Sequence, residues 1–106
     1  MKVFISYTRK DNVLSEDKLI SIRSLFLNKN ILPYIDCLVP NTTQELVEQE
    51  LKSSTLVLVI KTQKVYESKW VNKELTIAKD NNIPIIERTY NELFDINSLS
   101  FLDNYC

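Results

Sequence analysis

The chain has 106 residues, of which 13 are Lys or Arg, 14 are Asp or Glu and 44% are hydrophobic. This length and composition are typical of one soluble globular domain, and the net charge of −1 argues against a nucleic-acid binder that relies on phosphate contacts. The absence of Gly excludes a P-loop and a G-x-G-x-x-G nucleotide turn, and the absence of His excludes catalysis by an imidazole base. Two Cys cannot form a four-cysteine zinc site. Together these absences mean that any catalysis must rest on carboxylates, hydroxyls, amines or the substrate's own reactivity.

The hydropathy pattern gives no sign of a membrane or export segment. The longest apolar run, Leu56–Ile60, is far shorter than the ~18 residues of a membrane span, and Met1–Tyr7 favours a first strand over a signal peptide. No linker, repeat or charge block interrupts the chain, so we expect residues 1–106 to form a single domain. We expect a cytoplasmic protein without membrane contact, in which Cys37 and Cys106 are free thiols.

Strand-like and helix-like segments alternate along the chain. Short apolar runs predict four strands, and segments with apolar residues on one helical face predict three helices. In chain order these are strand Lys2–Tyr7, helix Val13–Lys29, strand Ile31–Ile35, helix Thr42–Lys52, strand Thr55–Ile60, helix Ser68–Lys79 and strand Ile83–Ile86. This alternation predicts an α/β domain with a parallel sheet, in which ligands bind at the carboxyl ends of the strands. Those ends fall within residues 7–11, 36–42 and 61–68.

The turns and the C-terminal segment are less regular. Asn residues follow the predicted helix ends where Gly is usual, and Asn is the best tolerated non-Gly residue in the left-handed region. The residues in question are Asn28, Asn30, Asn81 and Asn82. The apolar residues of the segment 88–106, Ile96 among them, are compatible with one short helix and an edge segment.

The third predicted helix carries one carboxylate on its apolar face. On a helical wheel Glu74 lies near the middle of the arc formed by Trp70, Val71, Leu75, Ile77 and Ala78. A carboxylate there is costly unless it is paired, hydrogen-bonded or open to a cleft, and desolvation raises its pKa. Two interpretations stay open: Glu74 ties the helix to Lys61, Arg9 or a backbone amide, or it serves in a functional cleft. Taken alone, Trp70 is expected to be a core aromatic residue.

Other polar positions near the strand ends allow two interpretations each. Arg9–Asp11, after the first strand, is compatible with a phosphate contact or with a solvated turn. Asp36, after the second strand, is compatible with a contact to a ribose hydroxyl or with a cap on the next segment. Ser68 is expected to be the N-cap of the third helix.

Together these motifs resemble the Toll/interleukin-1 receptor (TIR) domain family. Val3–Asp11 resembles the opening strand and loop of that family, and Ser54–Ile60 resembles its third strand. Ser68–Leu75, with its Trp-x-x-x-Glu-Leu pattern, and Ile83–Ile86 resemble the third helix and the fourth strand, in the same order over residues 2–87. The resemblance implies a flavodoxin-like three-layer α/β sandwich, with a parallel sheet of four to five strands, helices on both faces and frequent self-association.

In catalytic members of the family, the resemblance implies cleavage of the nicotinamide–ribose bond of NAD+, which is then the substrate, with no cofactor and no metal. The essential glutamate of those members matches Glu74. The remaining matched positions that would bind the nucleotide are Tyr7, Thr8, Arg9, Asp36 and Trp70. Water as acceptor gives ADP-ribose, a group of the same molecule gives a cyclic ADP-ribose isomer, and a second base or amino acid gives an exchange product.

The sequence also differs from the family pattern. The family usually continues through another helix and a fifth strand, so the part after about residue 87 is expected to be truncated or degenerate. The loop Cys37–Thr42 is short and lacks the Gly that is common there. A TIR domain without an appended domain resembles the standalone proteins of bacterial Thoeris antiphage systems, whose nucleotide product signals to a separate effector protein.

Two other functions remain open. A non-catalytic TIR interaction module does not need the Glu74 carboxylate, and a nucleoside deoxyribosyltransferase-like enzyme of similar architecture acts on free nucleosides and ignores NAD+.

Overall fold

The computed structural model describes residues 1–95 and 99–105. The helices and strands, in chain order, are β1 (Lys2–Ser6), α1 (Glu16–Leu27), β2 (Leu32–Tyr34), α2 (Gln44–Lys52), β3 (Leu56–Ile60), α3 (Lys69–Asp80), β4 (Ile85–Arg88) and α4 (Tyr90–Leu93). Three 3-10 turns lie at Asp36–Leu38, Val65–Glu67 and Ser100–Tyr105. The order and type of the predicted elements up to β4 are therefore confirmed.

The four strands form one parallel sheet in the order β2-β1-β3-β4. In the register, Phe4 of β1 lies beside Tyr34 of β2 and Val57 of β3, and Val57 in turn lies beside Ile85 of β4. Each connection crosses over through at least one helix, as parallel strands require. The predicted flavodoxin-like α/β sandwich is confirmed, with four strands among the described residues.

Apolar side chains cover both faces of the sheet, so the domain has three layers. Alternate residues of a strand point to opposite faces, and Val3 and Ile5 pack against α1 while Phe4 packs against α2 and α3. All five residues of β3 are buried. This explains why the sequence of β3 is an unbroken apolar run rather than an alternating one.

Side-chain caps fix where the three long helices begin. The hydroxyls of Ser15, Thr43 and Ser68 accept hydrogen bonds from backbone N–H groups three residues later, at 3.2, 3.2 and 3.3 Å. The helices therefore start one to three residues after the predicted positions, and the N-cap role of Ser68 is confirmed.

Asn residues provide left-handed backbone at four turns. Asn30 and Asn82, which follow α1 and α3, have φ angles of 59° and 57°. Their neighbours Asn28 and Asn81 cap the helices with negative φ angles, so only one Asn of each pair takes the conformation that the sequence suggested. Asn12 and Asn41 adopt the same left-handed conformation in loops, where no helix end had indicated it.

The last strand begins later in the chain than predicted, because Pro84 precedes it. The predicted strand Ile83–Ile86 is observed at Ile85–Arg88. Pro84 has no N–H to donate to a ladder, but its carbonyl oxygen accepts from Val57 N at 2.9 Å. Pairing continues to the carbonyl of Arg88, which accepts from Lys61 N at 2.8 Å.

The C-terminal segment covers the α1 face of the sheet. Of the two elements compatible with this segment, the short helix is present as α4, and among the described residues the 3-10 turn Ser100–Tyr105 stands in place of an edge segment. Leu93, Leu99 and Leu102 are buried in the same cluster as α1, which takes them away from the free edge of β4. Ile96 and Cys106 lie outside the described residues.

Two further findings concern Cys37 and the character of the helices. Cys37 is exposed and its thiol is free. Among residues 1–95 and 99–105, no helix has the length and the apolar character needed to cross a bilayer.

Candidate functional site

A cleft of about 800 Å³ opens at the carboxyl end of β1. β2 pairs with one side of β1 and β3 pairs with the other side. The chain therefore crosses β1 between β2 and β3, and the strand order reverses there. Such a reversal leaves the flanking loops on opposite sides of a crevice. The residues that line the cleft are Tyr7, Thr8, Arg9, Lys10, Asp36, Thr42, Thr43, Gln44, Val47, Ser68, Trp70 and Glu74.

Glu74 of α3 presents a buried carboxyl group to this cleft. The residue is only 9% exposed, and its Oε1 accepts a hydrogen bond of 2.9 Å from the Ser6 hydroxyl. None of the partners that the sequence suggested is used: Lys61 lies 3.5 Å from Glu87 instead. Within the part of the chain that the structure describes, Glu74 has no ion pair and no second hydrogen bond. The carboxyl group is therefore buried without a compensating charge.

The surroundings of Glu74 bring its pKa close to neutral pH. Desolvation by burial is the largest influence and raises the pKa of Glu74 from 4.5 to about 7. The hydrogen bond from Ser6 lowers this pKa, and the nearby Asp36 carboxylate raises it. A carboxyl group at neutral pH can then be charged or uncharged according to what occupies the cleft.

Tyr7 and Asp36 form a second hydroxyl–carboxylate pair in the cleft. Asp36 opens the 3-10 turn after β2, and its Oδ1 accepts a hydrogen bond of 2.6 Å from the Tyr7 hydroxyl. Burial raises the pKa of Tyr7, and the hydrogen bond to Asp36 raises it further. Tyr7 therefore stays a hydrogen-bond donor, and Asp36 keeps its second oxygen for a ligand.

Trp70 stands at the rim of the cleft and not in the core. Its side chain is 57% exposed, so the expectation of a core aromatic residue is wrong. Trp70 lies in the first turn of α3 on the side that borders the cleft, whereas Val71 and Ala78 of the same helix are buried in the core. The Lys73 ammonium group lies 5.6 Å from the indole ring centroid and 3.4 Å from Glu48 of α2.

The loop after β1 carries two exposed cations, Arg9 and Lys10, into the lining. Lys10 Nζ donates to the backbone carbonyl of Glu67 at 3.4 Å, and Asp11 Oδ2 accepts from Lys64 N at 2.9 Å. Both contacts join this loop to the segment after β3. The positive side of the cleft is thus attached to the rest of the domain.

All six residues that the sequence singled out line this one cleft. Of the three predicted strand ends, the one after β3 contributes only Ser68, because Lys61 is directed to Glu87. Sequence reasoning missed the wall formed by Thr43, Gln44 and Val47 at the start of α2, and nothing in the sequence signals it.

Sequence reasoning also missed Ser6, although a signal was present. Ser6 lies two residues after the core residue Phe4 in β1, so both side chains point to the same face. That face is the one covered by α2 and α3, the helix of Glu74.

The described residues contain no group of three or more His, Cys, Asp or Glu side chains that would suit a metal ion. A smaller cavity of about 590 Å³ lies beside Met1 and Asn30, at the amino end of β1. Its charged lining residues, Lys29, Asp95 and Asp103, are all exposed, so none of them is desolvated as Glu74 is.

Comparison with known proteins agrees with this arrangement. The model of the family described as Thoeris protein ThsB, TIR-like domain, matches residues 4–93. No curated protein matches the chain. The matched segment runs from β1 to α4 and contains every residue that lines the cleft. The resemblance read from the motifs is confirmed, and the chain belongs to the family of TIR-like domains of the Thoeris protein ThsB.

Proposed function

We propose that this domain cleaves the nicotinamide–ribose bond of NAD+, with Glu74 as the catalytic residue. The observation that carries the proposal is the Glu74 carboxyl group, nine-tenths buried, without a cationic partner among the described residues and beside a cleft of about 800 Å³. A structural carboxylate in such a position would be expected to have a compensating charge. A cationic substrate supplies that charge.

The chemistry requires neither an imidazole nor a general acid. The C1′–N1 bond breaks with both electrons going to the pyridine nitrogen, so nicotinamide leaves as a neutral molecule. The positive charge passes to the ribose, and the Glu74 carboxylate stabilises the oxocarbenium-like transition state, as a carboxylate does in glycoside hydrolysis. When water attacks C1′ and loses a proton, the products are ADP-ribose and nicotinamide.

The remaining lining residues suit the other parts of the dinucleotide. Arg9 and Lys10 are exposed cations that can bind the pyrophosphate. The free oxygen of Asp36 can accept a hydrogen bond from a ribose hydroxyl, and the exposed indole of Trp70 can stack on a planar base. Tyr7 and Thr8 then form the wall of the cleft beside the sugar.

The protonation state of Glu74 gives the reaction a pH dependence. Only the ionised form stabilises the cation, and because the pKa of Glu74 is about 7, this form predominates above neutral pH. The value of kcat/KM is therefore expected to rise with pH through about 7. A bound pyridinium ring favours the ionised form, so the midpoint for kcat lies at a lower pH than that for kcat/KM.

Two alternatives are less well supported. A pure interaction module gains nothing from an unpaired buried carboxyl group, since replacement of Glu74 by an apolar residue would stabilise it. A nucleoside deoxyribosyltransferase-like enzyme would use the carboxylate, but it has no need for the cations Arg9 and Lys10 because free nucleosides carry no phosphate.

Membership in a Thoeris family supports a role in bacterial antiphage defence. We place the reaction in the cytoplasm, where NAD+ is available. The ADP-ribosyl product, either ADP-ribose or a cyclic ADP-ribose isomer, acts as a signal for a separate effector protein. Self-association through TIR–TIR contacts is part of the proposal, because the cleft is open and a second copy can cover it.

The test compares nicotinamide release from NAD+ by the wild-type protein and by Glu74→Gln, at several protein concentrations. The glutamine keeps the shape and the acceptor for Ser6 but lacks the charge, so we expect at least about a 100-fold loss of rate with NAD+ binding retained. Glu45→Gln, at an exposed position of α2, is the matched control and should keep full activity. Equal rates for the wild-type and Glu74→Gln proteins would contradict the proposed role of Glu74.

A further inference from the structure

We infer that Ser6 is a positioning residue, whose hydroxyl holds the Glu74 carboxyl group at the cleft. The inference rests on the proposed function in so far as Glu74 is taken to be catalytic. Ser6 does not itself line the cleft. It therefore acts only through Glu74.

The hydroxyl of Ser6 lies in surroundings that make this hydrogen bond necessary. Ser6 is the last residue of β1, is 0% exposed and lies beside Val59 in the register. Phe4, Val57 and Val59 belong to the apolar cluster on this side of the sheet. A buried hydroxyl without a partner is destabilising, and Glu74 Oε1, 2.9 Å away, is the partner that it finds.

The same contact determines which oxygen of the carboxyl group is available to a ligand. Ser6 occupies Oε1, which leaves Oε2 for a molecule in the cleft. A carboxyl group that turns freely about its last torsion angle would lose this orientation, since such torsions are broad. The rigid end of β1 thus sets the direction of a side chain that comes from α3, 68 residues later in the chain.

The hydroxyl also supports the charged state that the proposed reaction needs. A hydrogen bond donated to a carboxylate favours the ionised form, and Ser6 lowers the pKa of Glu74 against the effect of burial. The titratable or charged groups that line the cleft together with Glu74 are Tyr7, Arg9, Lys10 and Asp36. Of these, Asp36 raises the pKa of Glu74, and the start of α2 contributes only the neutral Thr43 and Gln44. Ser6 is therefore the neighbour that opposes both burial and Asp36.

The first experiment follows the carboxyl group directly, without turnover. In protein labelled with carboxyl-¹³C glutamate, the Glu74 resonance is assigned by its loss in Glu74→Gln, and its NMR titration is compared between the wild-type protein and Ser6→Ala. We expect the Ser6→Ala midpoint to lie higher by about one pH unit. Ser6→Cys, which keeps the shape of the side chain but is slightly larger and donates weakly, should shift in the same direction.

The second experiment measures kcat/KM for NAD+ against pH. Ser6→Ala is expected to lower kcat/KM about tenfold more at pH 6 than at pH 9, because the ionised fraction falls on the acid side, whereas a loss of orientation lowers kcat/KM equally at both pH values. Ser54→Ala is the matched control, since Ser54 is also a buried serine but bonds the backbone of Glu50 away from the cleft. Ser54→Ala should leave both the midpoint and the profile unchanged.

The outcomes separate the two proposals. An unchanged Glu74 titration in Ser6→Ala would overturn the positioning role. A shifted titration in a protein that does not release nicotinamide would leave the positioning role standing and would overturn the proposed function.

Discussion

At the scale of single residues, the role proposed for Glu74 comes at a cost to the stability of the fold. An ionised carboxylate at a position 9% exposed lowers the stability of the fold, because its pKa rises from 4.5 to about 7 on folding. The folded state holds this proton more tightly than the unfolded state does. Protonation of Glu74 therefore stabilises the fold below pH 4.5 in full, and this contribution disappears as the pH rises through about 7.

Because the ionised carboxylate lowers the stability of the fold, we predict that Glu74→Gln stabilises the protein at pH 8. The cost of ionised Glu74 is on the order of 3 kcal/mol, from the shift of its pKa, and the neutral glutamine avoids it while still accepting from Ser6. Urea unfolding at pH 5 and pH 8 measures the effect. We expect a gain of about 1–3 kcal/mol at pH 8 and a much smaller change at pH 5.

The control for this measurement is Glu45→Gln, at an exposed position on α2. An exposed substitution of this kind should change the free energy of unfolding by less than about 0.5 kcal/mol at both pH values. If Glu74→Gln were less stable than the wild-type protein at pH 8, the carboxylate would be a structural group and the interpretation of its burial would be wrong.

At the scale of elements, a chain without Gly must use other residues in the turns that follow its helices. Asn82 follows α3 with a φ angle of 57°, and Ile83 N then bonds back to Ala78 O at 2.8 Å. Asn30 ends the turn after α1 in the same conformation. In this protein Asn therefore does the work that Gly does elsewhere, since it tolerates the left-handed region better than other residues with a side chain.

We predict that Asn82→Ala destabilises the domain by about 1 kcal/mol, because alanine pays a steric penalty at positive φ. Asn82→Gly should be as stable as the wild-type protein or more so. The matched control is Asn28→Ala, at a helix end where φ is −65° and the substitution is expected to be neutral. Urea unfolding of the three variants measures the differences, and equal stability of Asn82→Ala and Asn82→Gly would show that the turn does not depend on this conformation.

The kind and order of the elements could be predicted from the sequence, but their ends could not. Each long helix begins directly after the Ser or Thr whose hydroxyl accepts a backbone N–H, whereas the predicted bounds included that residue. Pro84 shifted β4 because a strand needs donors as well as apolar side chains. The C-terminal segment stayed ambiguous in the sequence because apolar residues such as Leu99 and Leu102 suit an edge or a covering layer equally well.

At the scale of the whole molecule, the site is a product of the strand order. Ser6 and Glu74 are 68 residues apart in the chain, and Tyr7 and Asp36 are 29 apart. They meet because β1 lies between β2 and β3 and because α3 covers the face to which Ser6 points. The net charge of the chain is only −1, so the positive charge on one side of the cleft is local and not a property of the whole surface.

The candidate residues could be predicted one at a time, but their contacts could not. The helical wheel singled out Glu74 because a charge stood among apolar neighbours, and that anomaly is visible in the sequence. The sequence shows that Ser6 lies on the same face of β1 as Phe4, but it does not show that α3 covers that face, and the partner of Glu74 depends on this packing. The exposure of Trp70 likewise depends on which side of the first turn of α3 borders the cleft.

The most direct test of this account is the mass balance of NAD+ incubated with the protein. Mass spectrometry of the whole product pool, over protein concentrations that include the self-associated state, identifies both fragments and the acceptor. The account predicts nicotinamide together with an equimolar ADP-ribosyl product from the wild-type protein, and intact NAD+ with Glu74→Gln. Intact NAD+ with the wild-type protein at every concentration would contradict it and would favour a domain that acts only by binding.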